Sequence, residues 1–132
     1  MSFSKEEVAR YRLQRAKESF AEAEIMRDNQ RWQMVVNRLY YASFYAVSAY
    51  FVQQGLKAFT HAGLKSAFNK ELVQAGKVSL AEGRLFNQLF SYRQDADYKD
   101  FVTFDEVEIS ELFPRVESLI ILLESLLLSD LS

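Results

Sequence analysis

Residues 30–54 read QRWQMVVNRLYYASFYAVSAYFVQQ, and the fold turns on this stretch. Wound as a helix, Trp32, Val35, Leu39, Ala46 and Tyr50 lie on one side, while Val36, Tyr40, Phe44, Val47 and Phe51 carry apolar surface round the other. A helix that is apolar most of the way round has to be enclosed by neighbours. At about 1.5 Å per residue it is a rod roughly 37 Å long, so the sequence predicts a central, buried axis. Gly55 follows and supplies a left-handed residue to end it.

The flanking segments are amphipathic. On the N-terminal side Ala9, Leu13, Ala16, Phe20 and Ala23 alternate steps of four and three and form one stripe. Ser4 with Glu7 has capping-box spacing, and Asp28 with Asn29 predicts the break before the axis. On the C-terminal side Thr60 opens a shorter helix through Leu64, Phe68 and Leu72, with Gly76 at its end. Ser79 and Glu82 predict a second capping box, for a helix carrying Leu80, Leu85, Phe86, Leu89 and Phe90 as far as Arg93 or Asp97. Thr103 and Glu106 predict a third, opening a last helix with Val107, Leu112, Val116, Leu119, Leu123 and Leu126. Pro114 removes an amide donor inside it and predicts a kink or a two-part helix. No alternating run reads as a strand. The expected fold is all-α, an up-and-down antiparallel bundle of four or five helices forming a single domain over residues 1–132.

Composition fits a packed chain, since 49% of residues are hydrophobic and eleven Phe and seven Tyr supply large side chains, which excludes disorder. Cysteine is absent, removing disulfides, a thiol nucleophile and thiolate metal clusters. The start, MSFSKEEVARYRLQ, is charged from Lys5 onward and lacks the apolar run of a secretory signal. Residues 119–128 are apolar but are interrupted by Glu124 and Ser125, short of the ~20 residues of a membrane span. The chain therefore reads as cytoplasmic, with no membrane association. Its net charge of −2 hides an asymmetry: residues 1–93 carry 14 Lys and Arg against 8 Asp and Glu, and residues 94–132 carry 2 against 10. A net charge near zero argues against broad non-specific nucleic-acid binding and leaves room for a local basic surface on the first two-thirds.

His61 is the sole histidine, so a nucleophile–base arrangement has one candidate base and a metal site would depend on carboxylates. The glycines at 55, 63, 76 and 83 build no phosphate-cradling loop. No cofactor and no metal are expected. Asp95 and Asp97 form a D-x-D pair, but two residues apart on a helix diverge by about 200°, which reads as solvated charge. Arg93 and Asp97, four apart, can face each other as an exposed pair worth about 0.2–1 kcal/mol. Asn37, Tyr40, Tyr41 and Phe44 share one face of the central helix. They read either as core packing with a satisfied amide or as the polar wall of a ligand site.

Taken together, Asn37-Arg38-Leu39-Tyr40-Tyr41-Ala42, Thr60-His61, Phe68 and Arg93-Gln94-Asp95-Ala96-Asp97-Tyr98 resemble the HEPN superfamily. The likeness is greatest to its small stand-alone proteins, with N-R-x-Y-Y-A, T-H and R-x-x-A-D-Y on successive helices, and it covers about residues 8 to 125. The resemblance implies a four- or five-helix bundle that pairs into a homodimer, with polar residues gathered near the pairing surface. It also implies two kinds of activity. Many HEPN proteins are metal-independent endoribonucleases whose Arg is followed after four to six residues by a His. Others lack that His and are encoded beside a minimal nucleotidyltransferase in a toxin–antitoxin-like pair.

Here no histidine follows Arg93, and Tyr98 stands near the place the family's histidine holds; a phenol is a poor general base at neutral pH. Three readings follow. The first is a module binding a nucleotide, RNA or a nucleotidyltransferase partner through Asn37, Tyr40, Tyr41, Arg93, Asp97 and Tyr98. The second is an endoribonuclease using Arg93 with His61 or Tyr98. The third is a bundle whose dimerisation is its whole role.

Overall fold

Five α-helices form an antiparallel bundle in the computed structural model, which describes residues 2–56 and 59–131: α1 (Lys5–Asp28), α2 (Trp32–Gln53), α3 (His61–Phe68), α4 (Leu80–Tyr98) and α5 (Glu106–Leu131). α3 runs on into a π-helical turn, Asn69–Val73, for which no local sequence signal stands out. Among the described residues there is no strand. α2 is the axis, with Val35, Val36, Leu39, Tyr40, Ala46 and Val47 fully enclosed by packing against α1, α4 and α5.

α1 lies along α2 through Ala9, Ala16, Ser19 and Ala23, all buried. These small side chains let the two backbones approach closely, which is why a stripe poor in large residues still builds an interface. Phe20, placed in the same stripe by its spacing, is only partly buried and meets Phe113 of α5 edge-on at 5.7 Å.

Local chemistry sets most helix ends. The amide of Ser4 donates to Glu7 Oε1 at 3.1 Å and that of Glu7 to Ser4 Oγ at 3.1 Å, a complete capping box. Ser79 and Glu82 repeat it at α4. Thr60 Oγ1 accepts the Gly63 amide at 2.9 Å. At the end of α2, Gly55 has φ +100°. Its amide reaches the Val52 carbonyl, and that of Leu56 the Phe51 carbonyl, the two bonds of a Schellman turn. Gly76, φ +79°, closes the π-helical turn in the same way.

Two expectations are corrected. The Thr103–Glu106 box does not form. Asp105 caps α5 instead, its Oδ1 accepting the Glu108 amide at 2.9 Å, because an aspartate at the cap both takes an orphan amide and sits favourably at the dipole's positive end. Secondly, α5 is a single helix through Pro114, not two parts. Leu112, Phe113 and Val116 around the proline are buried, and that packing offsets the roughly 3 kcal/mol a mid-helix proline costs. Leu80 and Val107 lie on the helices expected of them and are exposed, since each is in its helix's first turn, beyond the enclosed part of the core.

The α1–α2 turn makes a prediction. Gln30 has φ +57° and occupies the position of a Schellman turn that glycine fills at the ends of α2 and the π-helical turn. An L side chain there costs about 1 kcal/mol. Gln30→Gly is expected to raise stability by up to that amount, read as a higher urea midpoint; a lower midpoint would contradict the assigned strain.

Candidate ligand-binding site

The resemblance motifs converge on one cluster where α2, α3 and α4 meet. Arg93, on α4, is 5% exposed. Its guanidinium carbon lies 4.9 Å from the centre of the Tyr40 ring and 5.8 Å from that of Phe90. The two rings meet edge-on, 6.1 Å between centres, and attract the cation through their π faces, yet Nε has no hydrogen-bond partner among the described residues. The anion beside the guanidinium is Asp97, one helical turn on, at 3.7 Å from Nη1. The sequence treats these two as an exposed pair. In the fold the guanidinium is inside, because α4 turns Arg93 toward α2 together with Phe86, Leu89 and Phe90.

Asn37 links Asp97 back to α2. Its Nδ2 donates to Asp97 Oδ1 at 3.2 Å and Oδ2 at 3.5 Å. Its Oδ1 accepts from Arg38 Nε at 3.0 Å and Nη2 at 2.7 Å. Arg38 also pairs with Glu22 of α1 at 3.3 Å and lies over the Tyr41 ring at 5.2 Å. Tyr41 is half-buried and edge-on to Tyr40, 5.2 Å between centres. Asp95 turns away to pair with Lys99 at 3.1 Å, so the two aspartates do not converge. No group of three or more histidine or carboxylate side chains among the described residues is placed to hold a metal ion.

His61, first residue of α3, packs on Phe44 with 4.6 Å between ring centres and meets the Tyr40 hydroxyl at 2.8 Å through Nδ1. Burial raises the Tyr40 phenol well above its ordinary value, so this hydroxyl keeps its proton. The Arg93 cation draws the phenol's lone pairs, leaving the O–H to donate to Nδ1 and the imidazole proton on Nε2. Burial first, and the Arg93 cation second, lower the His61 pKa. His61 is then a neutral donor at Nε2. Tyr98, by contrast, is 77% exposed and has no hydrogen bond to a described residue. The structure thus joins Asn37, Tyr40, Tyr41, His61, Arg93 and Asp97, and leaves Tyr98 at the edge, facing solvent.

The lowered imidazole pKa makes a prediction. The unfolded chain takes up the proton first as pH falls, so His61 contributes stability that is full above about pH 6.5 and is lost as pH drops through the folded value. Between pH 7.5 and 5.5 the wild-type chain is expected to lose more urea stability than His61→Gln. Parallel curves for the two would rule this out.

A sequence profile described as the HEPN domain matches residues 9–126. The chain belongs to the HEPN domain family. A UPF0332 protein of Thermotoga maritima is 36% identical over 123 residues, covering 93% of both chains. A candidate toxin of Methanocaldococcus jannaschii is 24% identical over 103 residues, 78% of this chain and 70% of its own. A UPF0332 protein of Gloeobacter violaceus is 32% identical over 68 residues, 52% of this chain and 54% of its own.

Within this HEPN bundle the cluster includes groups the sequence did not single out. Phe90 reads as core and is a wall of the Arg93 site. Lys65 of α3 lies 4.5 Å from the centre of the same Phe90 ring. Further along the α1–α2 face of the HEPN fold, Arg12 lies over Phe59 at 5.4 Å and Arg15 over Tyr45 at 5.2 Å. Phe44 connects these rings to His61. The uneven charge of residues 1–93 was the available signal for that basic, aromatic face. Among the described residues no helix of this HEPN chain is long and apolar enough to cross a membrane.

Proposed function

We propose that this protein is a binding module for a phosphate-bearing ligand, a nucleotide or RNA, working as the toxin-like member of a pair with a minimal nucleotidyltransferase. One observation carries the reading: a buried guanidinium packed against aromatic rings with its Nε unpartnered. An enclosed cation lacking a full set of acceptors is costly for folding and well suited to an incoming anion. Around it His61 offers Nε2–H, and the arginines stacked on Tyr41, Tyr45 and Phe59 provide the alternation of cations and rings that suits bases and phosphates. The name of the M. jannaschii relative supports the toxin-like role. The nucleotidyltransferase partner and the homodimer rest on the resemblance of the motif set, and cytoplasmic placement on the sequence.

The test is titration of a single-stranded RNA and of adenosine nucleotides into the purified chain, with saturable binding that weakens as salt rises. An absence of binding to all of them would overturn the reading. Co-expression with a minimal nucleotidyltransferase and mass measurement in solution address the partner and the dimer.

A second reading, metal-independent RNA cleavage, is favoured by the placement of Arg93 and His61 against the same tyrosine. A neutral His61 whose Nδ1 is occupied and whose Nε2 carries the proton is a donor rather than a general base, which is why binding ranks first. RNA cleavage lost in both Arg93→Ala and His61→Ala would reverse that order.

A further inference from the structure

We propose that the Arg93 site selects a terminal phosphate, a phosphomonoester, over the internal phosphodiesters of a strand, and that Asp97 is the residue setting that selection. This rests on the phosphate-binding reading above and adds the ligand class and the discriminating side chain.

The first argument is access. Arg93 is 5% exposed, with the rings of Tyr40 and Phe90 packed against its guanidinium at 4.9 and 5.8 Å from the carbon, so little of the cation faces an incoming ligand. A monoester enters on one ester link and presents three oxygens. A diester has to bring chain past the same rings on both sides.

The second argument is competition. Asp97 stands 3.7 Å from Nη1, too far for a direct hydrogen bond, so the pair is loose and Nε still lacks an acceptor. The carboxylate is nonetheless clamped, its two oxygens facing Asn37 Nδ2 and the Asn37 amide oxygen held by Arg38. An incoming anion therefore meets a fixed negative charge and has to displace it. A phosphodiester carries one charge and makes an even exchange with the carboxylate. A phosphomonoester carries about −1.5 to −2 at pH 7 and has an oxygen to spare for Nε, so it displaces Asp97 with a surplus.

The experiment uses the full chain and fluorescence anisotropy of a 3′-labelled ten-nucleotide RNA, with and without a 5′-phosphate, at one ionic strength. Competition by adenosine 5′-monophosphate and by its methyl ester supplies a strand-free version. The phosphorylated strand and the monophosphate are expected to bind about tenfold tighter than their partners. Asp97→Asn should narrow that ratio to below about threefold by raising affinity for the diester probes. Asn37→Ala keeps every charge but releases the clamp, so it should narrow the ratio too. Plain charge repulsion would leave Asn37→Ala like wild type, and that result overturns the clamp. Equal binding of the paired probes by wild type overturns the inference and leaves the phosphate-binding reading standing. No binding of any probe overturns both. A ratio unchanged in Asp97→Asn removes Asp97 from the selection.

Discussion

Arg93→Met is expected to leave a chain that is as stable as wild type or more so and that no longer binds a phosphate-bearing probe. The enclosed guanidinium has the Tyr40 hydroxyl and two rings beside it but a distant ion-pair partner and an unpartnered Nε, so its desolvation is only partly compensated. A methionine of similar reach packs against Tyr40 and Phe90 without that cost, and such exchanges are neutral or stabilising by up to a few kcal/mol, here roughly 0–2 kcal/mol. Asp97 keeps Asn37 and partial solvent contact, so losing its cation costs little. Binding should fall by about 100-fold or more, the usual consequence of removing one member of an enclosed charge-assisted contact. Arg93→Lys retains a charge but not the fork of donors and should fall between the two. Urea denaturation and anisotropy on the same samples measure both effects. Lower stability with unchanged binding is the signature of a purely structural role and would favour the dimerisation-bundle reading instead.

Phe86→Ala is expected to damage core and site together. Phe86 is fully buried. Its ring lies parallel to Tyr40 at 6.1 Å and edge-on to Phe68 at 5.0 Å, joining the inner faces of α2, α3 and α4. Truncation removes the transfer energy of the ring and leaves a cavity, about 3–5 kcal/mol, a large part of the roughly 5–15 kcal/mol that holds a domain folded. Tyr40 also loses the surface it rests on, and with it the hydroxyl that orients His61. Phe86→Leu, which keeps most of the volume, should cost closer to 1 kcal/mol. Urea unfolding decides this; a loss under about 1 kcal/mol for the alanine variant would mean that Phe86 is not the support we describe.

The fold was legible because its determinants are short in range. The all-round apolar surface of residues 30–54 can be satisfied only by enclosure, and α2 is the axis. The capping pairs Ser4–Glu7 and Ser79–Glu82 span three residues, so the contact is implied by the helix that it starts. Where two local signals competed, reading was harder: Thr103 with Glu106 matched the motif, while Asp105 between them held the better cap. Pro114 was read for its local cost alone, and the packing of Leu112, Phe113 and Val116 outweighed it.

The site divides along the same line. The resemblance of the motifs marked Asn37, Tyr40, Tyr41, His61, Arg93, Asp97 and Tyr98 as a set from the sequence. Their states came from the tertiary structure: that Arg93 is enclosed, that Asn37 holds an aspartate 60 residues away, that the Tyr40 hydroxyl meets a histidine 21 residues on, and that Tyr98 points out to water. Helical periodicity places a side chain on a face of its own helix. Only the neighbouring helix determines whether that face is dry, and burial is what turns an ordinary arginine–aspartate spacing into an incompletely satisfied cation.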